Sequence, residues 1–399
     1  MSQANSEGMW AFIKENSLLL ILGTFIALWW ANTNYEGYQH FAHTVILTND
    51  WVGELHGEHR VLTVHYLIND VLMALFFAIA GKEVWEAIAL QNGSLRGRQA
   101  LTPVIATAGG VIGPIVVYLT IAGLLGALEE AGNGWAIPTA TDIAFSYLVG
   151  KWVFGKNHPA VAFLLLLAIV DDAVGLVLIA AFYPKGEIQL VYLMLPVVAM
   201  LLNYFVFNRW LRILNFWPYL IIGGSISWLG FQLAGIHPAL GLLPIIPTMP
   251  HADSDPGFFA QEEEGFPDTL NAFEHRMGGF VQLVLFGFAL ANAGVVFSAV
   301  GDATWLVLAG LGIGKPFGIL LFGLAGIKLF GLSEGMRKAD LFVVGWVAAL
   351  GFTVALFVAG SAFPEGAVRD AAKTGALMSF FFAAAALLTG RLCRVQRVN

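Results

Sequence analysis

The sequence predicts an all-α polytopic membrane protein with about 12 transmembrane helices. Three observations predict it. First, only 12% of the 399 residues are charged, against about 25% in soluble domains, while 58% are hydrophobic and the mean hydropathy is +0.75. Second, apolar windows of about 19 residues, the length that crosses a bilayer as helix, recur along the whole chain. Third, the basic residues fall almost entirely on one side of the topology those windows define. A net charge of −7 with scattered Lys and Arg speaks against nucleic-acid binding. The single cysteine, Cys393, excludes an intrachain disulfide and a thiolate metal cage.

Taken in order, the windows are 13–31, 62–84, 101–126, 134–153, 159–183, 189–207, 212–234, 237–249, 277–298, 303–327, 339–363 and 372–392. The first is read as an uncleaved span, because no basic n-region and cleavage site precede it. The eighth is short. With the N-terminus inside, Lys14, Arg96, Arg98, Lys151, Lys156, Arg209, Arg212, Lys328, Arg337, Lys338, Arg391, Arg394 and Arg397 are cytoplasmic, and Lys82 and Arg276 end spans on that side. Only Arg60, Lys185, Arg369 and Lys373 fall outside, a strong positive-inside bias. Two loops stand out within what reads as one integral membrane domain over 1–399. The external, aromatic-rich 32–61 suits a small hairpin or a contact between subunits. The internal 249–271 is acidic, and its EEE run reads as a solvated linker.

The fifth window, VAFLLLLAIVDDAVGLVLIAA (161–181), carries Asp171 and Asp172 at its midpoint. Each mid-membrane carboxylate costs about 2.5–3.5 kcal/mol on insertion scales, so two in succession demand a reason. Thr141 and Asp142 lie in the fourth window, Lys315 in the tenth and Thr353 in the eleventh. Windows four and eleven both read as interrupted. Pro138 removes a backbone donor ahead of two threonines, and Gly351 precedes Phe352-Thr353. Interrupted helices at bilayer depth are tolerated where they line a cavity, and a pair in corresponding halves points to an ion site between inverted repeats. The repeats would be spans 3–5 and 10–12, with spans 4 and 11 crossing at mid-membrane. Asp142 then suits paired positive helix N-termini. Lys315 suits either paired negative C-termini or one of the Asp171–Asp172 carboxylates. Adjacent helical residues point about 100° apart, so the two aspartates serve different partners. A carboxylate, a threonine hydroxyl and water are ligands for a hard cation, and a carboxyl in a low-dielectric site takes up a proton in its place. Competition for one site reached alternately from each side is enough for exchange.

At these residues the chain resembles the NhaA family of Na+/H+ antiporters. The matching stretches are INDVLMALFFAIAGKEV (68–84), GSLRGRQALTPVIATAGGVIGP (93–114), GWAIPTATDIAFS (134–146), LAIVDDAVG (167–175), GIHPALG (235–241), FALANAGV (288–295), IGKPFGI (313–319) and AALGFTVALFVA (348–359), in the family's order over nearly the whole chain. The resemblance implies twelve helices with both termini cytoplasmic, in a bacterial inner membrane, and electrogenic exchange of Na+ or Li+ for H+ that serves sodium and pH homeostasis. It implies a homodimer, no cofactor beyond the transported ions, and no enzymatic activity. Asp172 matches the principal cation-binding aspartate. Asp171 matches a proton-exchanging neighbour that pairs with the residue matching Lys315. Asp142 and Thr141 match the crossing of the interrupted helices and join Asp172 and Asp171 in the expected cation- and proton-binding set. Asp172, Asp171 and Thr141 would thus hold the Na+ or Li+. Glu83, Glu274, His275 and His237 match part of a cytoplasmic pH-response cluster. Lys82 stands there for a leucine, Glu86 for a basic residue, Ala87 for an acid and Gly278 for a histidine, which sets alkaline activation apart from the retained exchange site.

Three other readings fit less well. An intramembrane aspartyl protease draws its aspartates from different helices, usually with GxGD, whereas here they are adjacent and the nearest sequence is AVGD (299–302). A cation channel favours rings of residues from repeated subunits, not interrupted helices. A symporter for an organic solute shares the scaffold and differs only in needing its solute.

Overall fold

The computed structural model describes residues 18–57, 59–90, 93–95, 100–251, 268–332 and 334–398. Much of the acidic 249–271 loop therefore lies outside the described residues, as do the basic Arg96 and Arg98. The described chain is mostly helical. Six helices are long and apolar enough to cross a membrane: Val64–Ala89, Leu101–Leu125, Pro159–Phe182, Leu190–Trp210, Asp302–Phe330 and Ala367–Leu392. The bent pair Lys338–Ala348 and Phe352–Ala362, at 52°, makes a seventh if it is one span. Several other windows appear as shorter apolar helices, among them Leu18–Thr33, Ile143–Phe154 and Pro238–Thr248. The chain is a multi-pass membrane protein.

The expectation of an all-helical chain needs one amendment. Val45–Asn49, Glu54–His56 and His59–Thr63 form an antiparallel three-stranded sheet with His59–Thr63 in the middle, so the 32–61 segment is not merely loop. Val45, Ile46 and Thr48 on one strand and Val61 and Thr63 on its partner are β-branched and favour extended backbone.

The chain divides into two compact units. One contains the described residues of 97–175 and 295–399. In it, Leu101–Leu125 packs against Asp302–Phe330 with backbones in contact. A Cβ on Gly113 or Gly318 would meet the backbone of the opposing helix, at Gly314 and Gly109 respectively. Glycines four apart on both helices, Gly109 and Gly113 against Gly314 and Gly318, are what allow this approach. The close packing holds the π-helical turn Gly310–Gly314, and with it Lys315, inside the unit.

The other unit comprises 19–96 and 176–294. Here Leu18–Thr33 lies against Thr269–Asn292, where Gly23 faces the Phe286 carbonyl. Asn69 and Asn292 exchange side-chain hydrogen bonds of 3.2 and 2.7 Å, tying Val64–Ala89 to Thr269–Asn292. The helix Pro159–Phe182, which carries Asp171 and Asp172, begins in the first unit and ends in the second.

Candidate functional site

The site is built on two helix interruptions in the first unit. Gly132–Thr139 is a 3-10 helix that ends at Pro138-Thr139; Ala140 and Asp142 are extended, and Ile143–Phe154 then starts as α-helix. In the other broken element, Lys338–Ala348 stops, and Phe352–Ala362 restarts after Gly351. The breaks are joined by hydrogen bonds. The Asp142 N–H donates to the Leu350 carbonyl at 2.6 Å, the Thr141 hydroxyl to Ala348 at 3.0 Å, and the Ser146 hydroxyl to Val347 at 3.0 Å. Backbone groups that interruption would leave orphaned at bilayer depth are thereby satisfied. Phe145, Phe352 and Phe380 pack with ring centroids 4.5–5.4 Å apart and cover the helix starts with apolar surface.

Asp142 serves two helix N-termini at once. Its Oδ1 accepts from the Phe145 N–H at 3.1 Å, capping Ile143–Phe154. Its Oδ2 accepts from the Thr353 N–H at 3.1 Å and the Thr353 hydroxyl at 2.5 Å, at the start of Phe352–Ala362. Two N-terminal partial charges of about half a unit each face one carboxylate, so Asp142 has its counter-charge supplied by backbone.

Lys315 is fully buried and answers both options the sequence left open. Its ammonium donates to the Thr139 carbonyl, at the C-terminal end of the 3-10 helix, and to Asp171 Oδ2 at 2.8 Å. It takes one C-terminal end, not both; the other, at Ala348, is served by the Thr141 hydroxyl. The Asp171–Lys315 pair has both side chains no more than 1% exposed. Asp171 Oδ1 accepts no hydrogen bond among the described residues, and Thr141 sits beside that carboxyl.

Asp172 differs from both. It is partly exposed, and it makes no hydrogen bond or ion pair among the described residues, although Asp171, Asp142 and Lys315 are near enough to act on it electrostatically. Of the three mid-span carboxylates, it alone lacks a built-in counter-charge. Among the described residues no three His, Cys, Asp or Glu side chains gather as a metal-binding group. A cation held at Asp172 would draw its remaining ligands from hydroxyls, carbonyls and water.

The four residues matched to a pH-response cluster do not come together. Lys82 lies 2.5 Å from Glu274, 2.7 Å from Glu86 and 3.7 Å from Glu83, making a buried charged group around one ammonium. His275 is exposed, on the same helix as Glu274. His237 is elsewhere. It lies 3.5 Å from Asp70, thirteen residues from Glu83 along Val64–Ala89, roughly 20 Å at 1.5 Å per residue. Two groups in this arrangement are absent from the sequence candidates. Lys82 appears there as a span-end cation and as a substitution, yet it organises three carboxylates. Asp70 carries the same signal as Asp171, a carboxylate inside an apolar window, and is completely buried.

The sequence model of the family described as Na+/H+ antiporter 1 matches residues 11–389. A protein named Na+/H+ antiporter NhaA, from Jannaschia sp. strain CCS1, is 54% identical, with 98% of this chain and 99% of that protein aligned. Na+/H+ antiporter NhaA 2 of Pelobacter propionicus is 43% identical, covering 97% of this chain and 98% of that protein. Na+/H+ antiporter NhaA of Desulfitobacterium hafniense is 44% identical, covering 97% of each. Among solved structures, the sodium proton antiporter MjNhaP1 from Methanocaldococcus jannaschii at pH 8 aligns with 98% of this chain and 99% of its own, at a TM-score of 0.50 and 12% identity, a likeness of fold.

Proposed function

We propose, from the premise that the chain belongs to the Na+/H+ antiporter 1 family, that it exchanges Na+ or Li+ for H+ across a bacterial inner membrane by alternating access. The observation that carries this reading is the division of labour among three buried-span carboxylates. Asp142 is held by two helix N-termini and Asp171 by Lys315, while Asp172 has no fixed partner and is partly exposed. A carboxylate that the fold leaves uncompensated at membrane depth is stable when a proton or a cation occupies it. Each occupant excludes the other, so loading Na+ from one side releases a proton to that side, and the reverse occurs on the other side.

Asp172 is the principal cation ligand in this scheme, with Thr141 and Asp171 as neighbouring oxygen donors. Asp171 exchanges its ion pair with Lys315 for a proton as the site reorganises. Two groups that change protonation for one monovalent cation move net charge, so the exchange is electrogenic. Asp142 holds the interrupted spans at their crossing, where two helix N-termini balance its charge beside the ion path. The whole architecture has twelve spans in inverted repeats 3–5 and 10–12, both termini cytoplasmic, and assembles as a homodimer that serves sodium and pH homeostasis. Glu83 and Glu274 beside Lys82, with His275 exposed on the same helix as Glu274, form its cytoplasmic pH-responsive end.

A solute symporter on the same scaffold is separated by one experiment. In proteoliposomes with an imposed pH gradient and no organic solute present, a sodium pulse collapses the gradient if the protein is an antiporter. Persistence of the gradient until a solute is added identifies the symporter.

A further inference from the structure

The C-terminal tail folds back on the end of the last helix. Phe381–Leu392 closes on a turn in which the Val395 N–H donates to the Gly390 carbonyl at 3.0 Å and the Arg394 N–H to the Arg391 carbonyl at 3.1 Å. This capping pattern favours glycine at its left-handed position, yet Arg394 stands there with φ +48°. The turn sends the chain back over the helix Ile143–Phe154. The Val398 N–H donates to the Phe154 carbonyl at 2.9 Å, and the Asn157 N–H donates to the Val398 carbonyl at 3.1 Å. Gly155, at φ +86°, makes room for this pairing, because a Cβ there would lie 2.4 Å from the Val398 carbonyl oxygen. Backbone hydrogen bonds at both ends of the tail thus fix where Arg397 sits.

Between the returning tail and the two helices lies a cavity of about 280 Å³. Trp152, Leu387 and Val395 give it apolar walls, and Arg391 and Arg397 give it two guanidinium groups. Among the described residues no carboxylate lines it, and neither arginine makes a side-chain hydrogen bond or an ion pair. Two like charges on one cavity favour an anion between them, and guanidinium forks match phosphate oxygens. The same two helices present bare apolar surface beside the cavity: Trp152 is 50%, Leu388 59% and Leu392 81% exposed. In a membrane-spanning chain such surface meets acyl chains, and tryptophan settles at the level of the headgroups. A free phosphate gains nothing from apolar walls, whereas a phospholipid matches both the charge and the walls.

We infer that this cavity holds one anionic phospholipid, with its phosphate between Arg391 and Arg397 and the start of an acyl chain against Trp152, Leu387 and Val395. The seat lies at the far end of the half-helix Ile143–Phe154 that Asp142 caps, and it shares no residue with the central site. It is therefore independent of the exchange reading. A lipid bound there joins that half-helix to the last helix and the tail.

The test uses full-length protein in detergent, with phosphatidylglycerol, phosphatidylethanolamine and inorganic phosphate as probes, and native mass spectrometry to count what stays bound. Arg391→Gln with Arg397→Gln retains one phosphatidylglycerol fewer than the unsubstituted protein, and about ten-fold or more lipid is needed to restore it. Lys328→Gln with Lys338→Gln removes the same charge from exposed positions outside the cavity and retains the full number. Equal phosphatidylglycerol counts in the arginine variant and the unsubstituted protein overturn the seat. Equal retention of phosphatidylethanolamine overturns its choice of an anionic lipid, and an equal loss in the lysine variant reduces it to diffuse attraction. Displacement of the lipid by inorganic phosphate would make the cavity a free-anion site instead. Loss of a second copy of the chain, with lipid retained, would assign the surface to that copy. If the arginine variant does not fold, Trp152→Ser keeps both charges and weakens retention; unchanged retention in it also overturns the seat.

Discussion

Lys315 is held by two groups that require the same charge, the Thr139 carbonyl and the Asp171 carboxylate, in a place where its side chain is wholly buried. Removing one member of a buried pair leaves the other uncompensated, at a cost of about 3–5 kcal/mol. Lys315→Met therefore lowers the thermal midpoint sharply, and adding Asp171→Asn recovers part of the loss. The same single variant changes the voltage dependence of exchange, because the pair no longer moves as a charge. Thermal midpoint and voltage dependence both equal to the unsubstituted protein would show that Lys315 has no pairing role. At this scale the central residues are legible in the sequence, because a charge inside an apolar window has few other uses. What stays hidden is the choice of partner. The sequence allows Lys315 to serve helix ends or an aspartate, and only the fold shows one ammonium doing both. The Lys185–Asp70 pair is hidden for a different reason. A lysine just past a span's end reads as one of the few basic residues on the outer side until the chain folds it back onto a buried acid.

Among the helices, the close approach of Leu101–Leu125 to Asp302–Phe330 positions Lys315, and the glycines Gly109, Gly113, Gly314 and Gly318 permit it. Gly318→Leu forces the two backbones apart, costs about 1–3 kcal/mol by overpacking, and moves Lys315 away from Asp171. Its thermal midpoint falls and exchange falls with it. Gly360→Leu, where a Cβ meets nothing within 4 Å, leaves both unchanged and serves as the control. The interruptions themselves are legible from Pro138 and from Gly351 before Thr353, since each weakens a helix at a defined place. The glycine contact is not. Glycines four apart occur often in a chain with 45 glycines, and the spacing does not say which helix answers it. The three-stranded sheet lies between these cases. Its β-branched residues are visible, but without a known turn they fit a loop equally well.

For the whole molecule, the uneven distribution of Lys and Arg sets the orientation through the cost of moving cationic loops across the bilayer. The natural Cys393 makes this testable without engineering, because it is the only cysteine, lies near the C-terminus and is partly exposed. In right-side-out vesicles a membrane-impermeant maleimide leaves Cys393 unlabelled, and in inside-out vesicles it labels it; the opposite pattern contradicts a cytoplasmic C-terminus. The apolar windows forecast the membrane class well and the continuous spans less well. Windows four and eleven are real in composition, but Ala140–Asp142 and the Gly351 break divide them into shorter pieces. The central claim is that Asp172 is the carboxylate left open for the transported ion, and it is tested by flux. Purified Asp172→Asn protein, shown to be folded by an unchanged elution profile, is reconstituted in proteoliposomes and given a sodium pulse against an imposed pH gradient. The gradient is predicted to hold, with no sodium-dependent proton movement. Sodium-dependent proton flux equal to that of the unsubstituted protein would contradict the account.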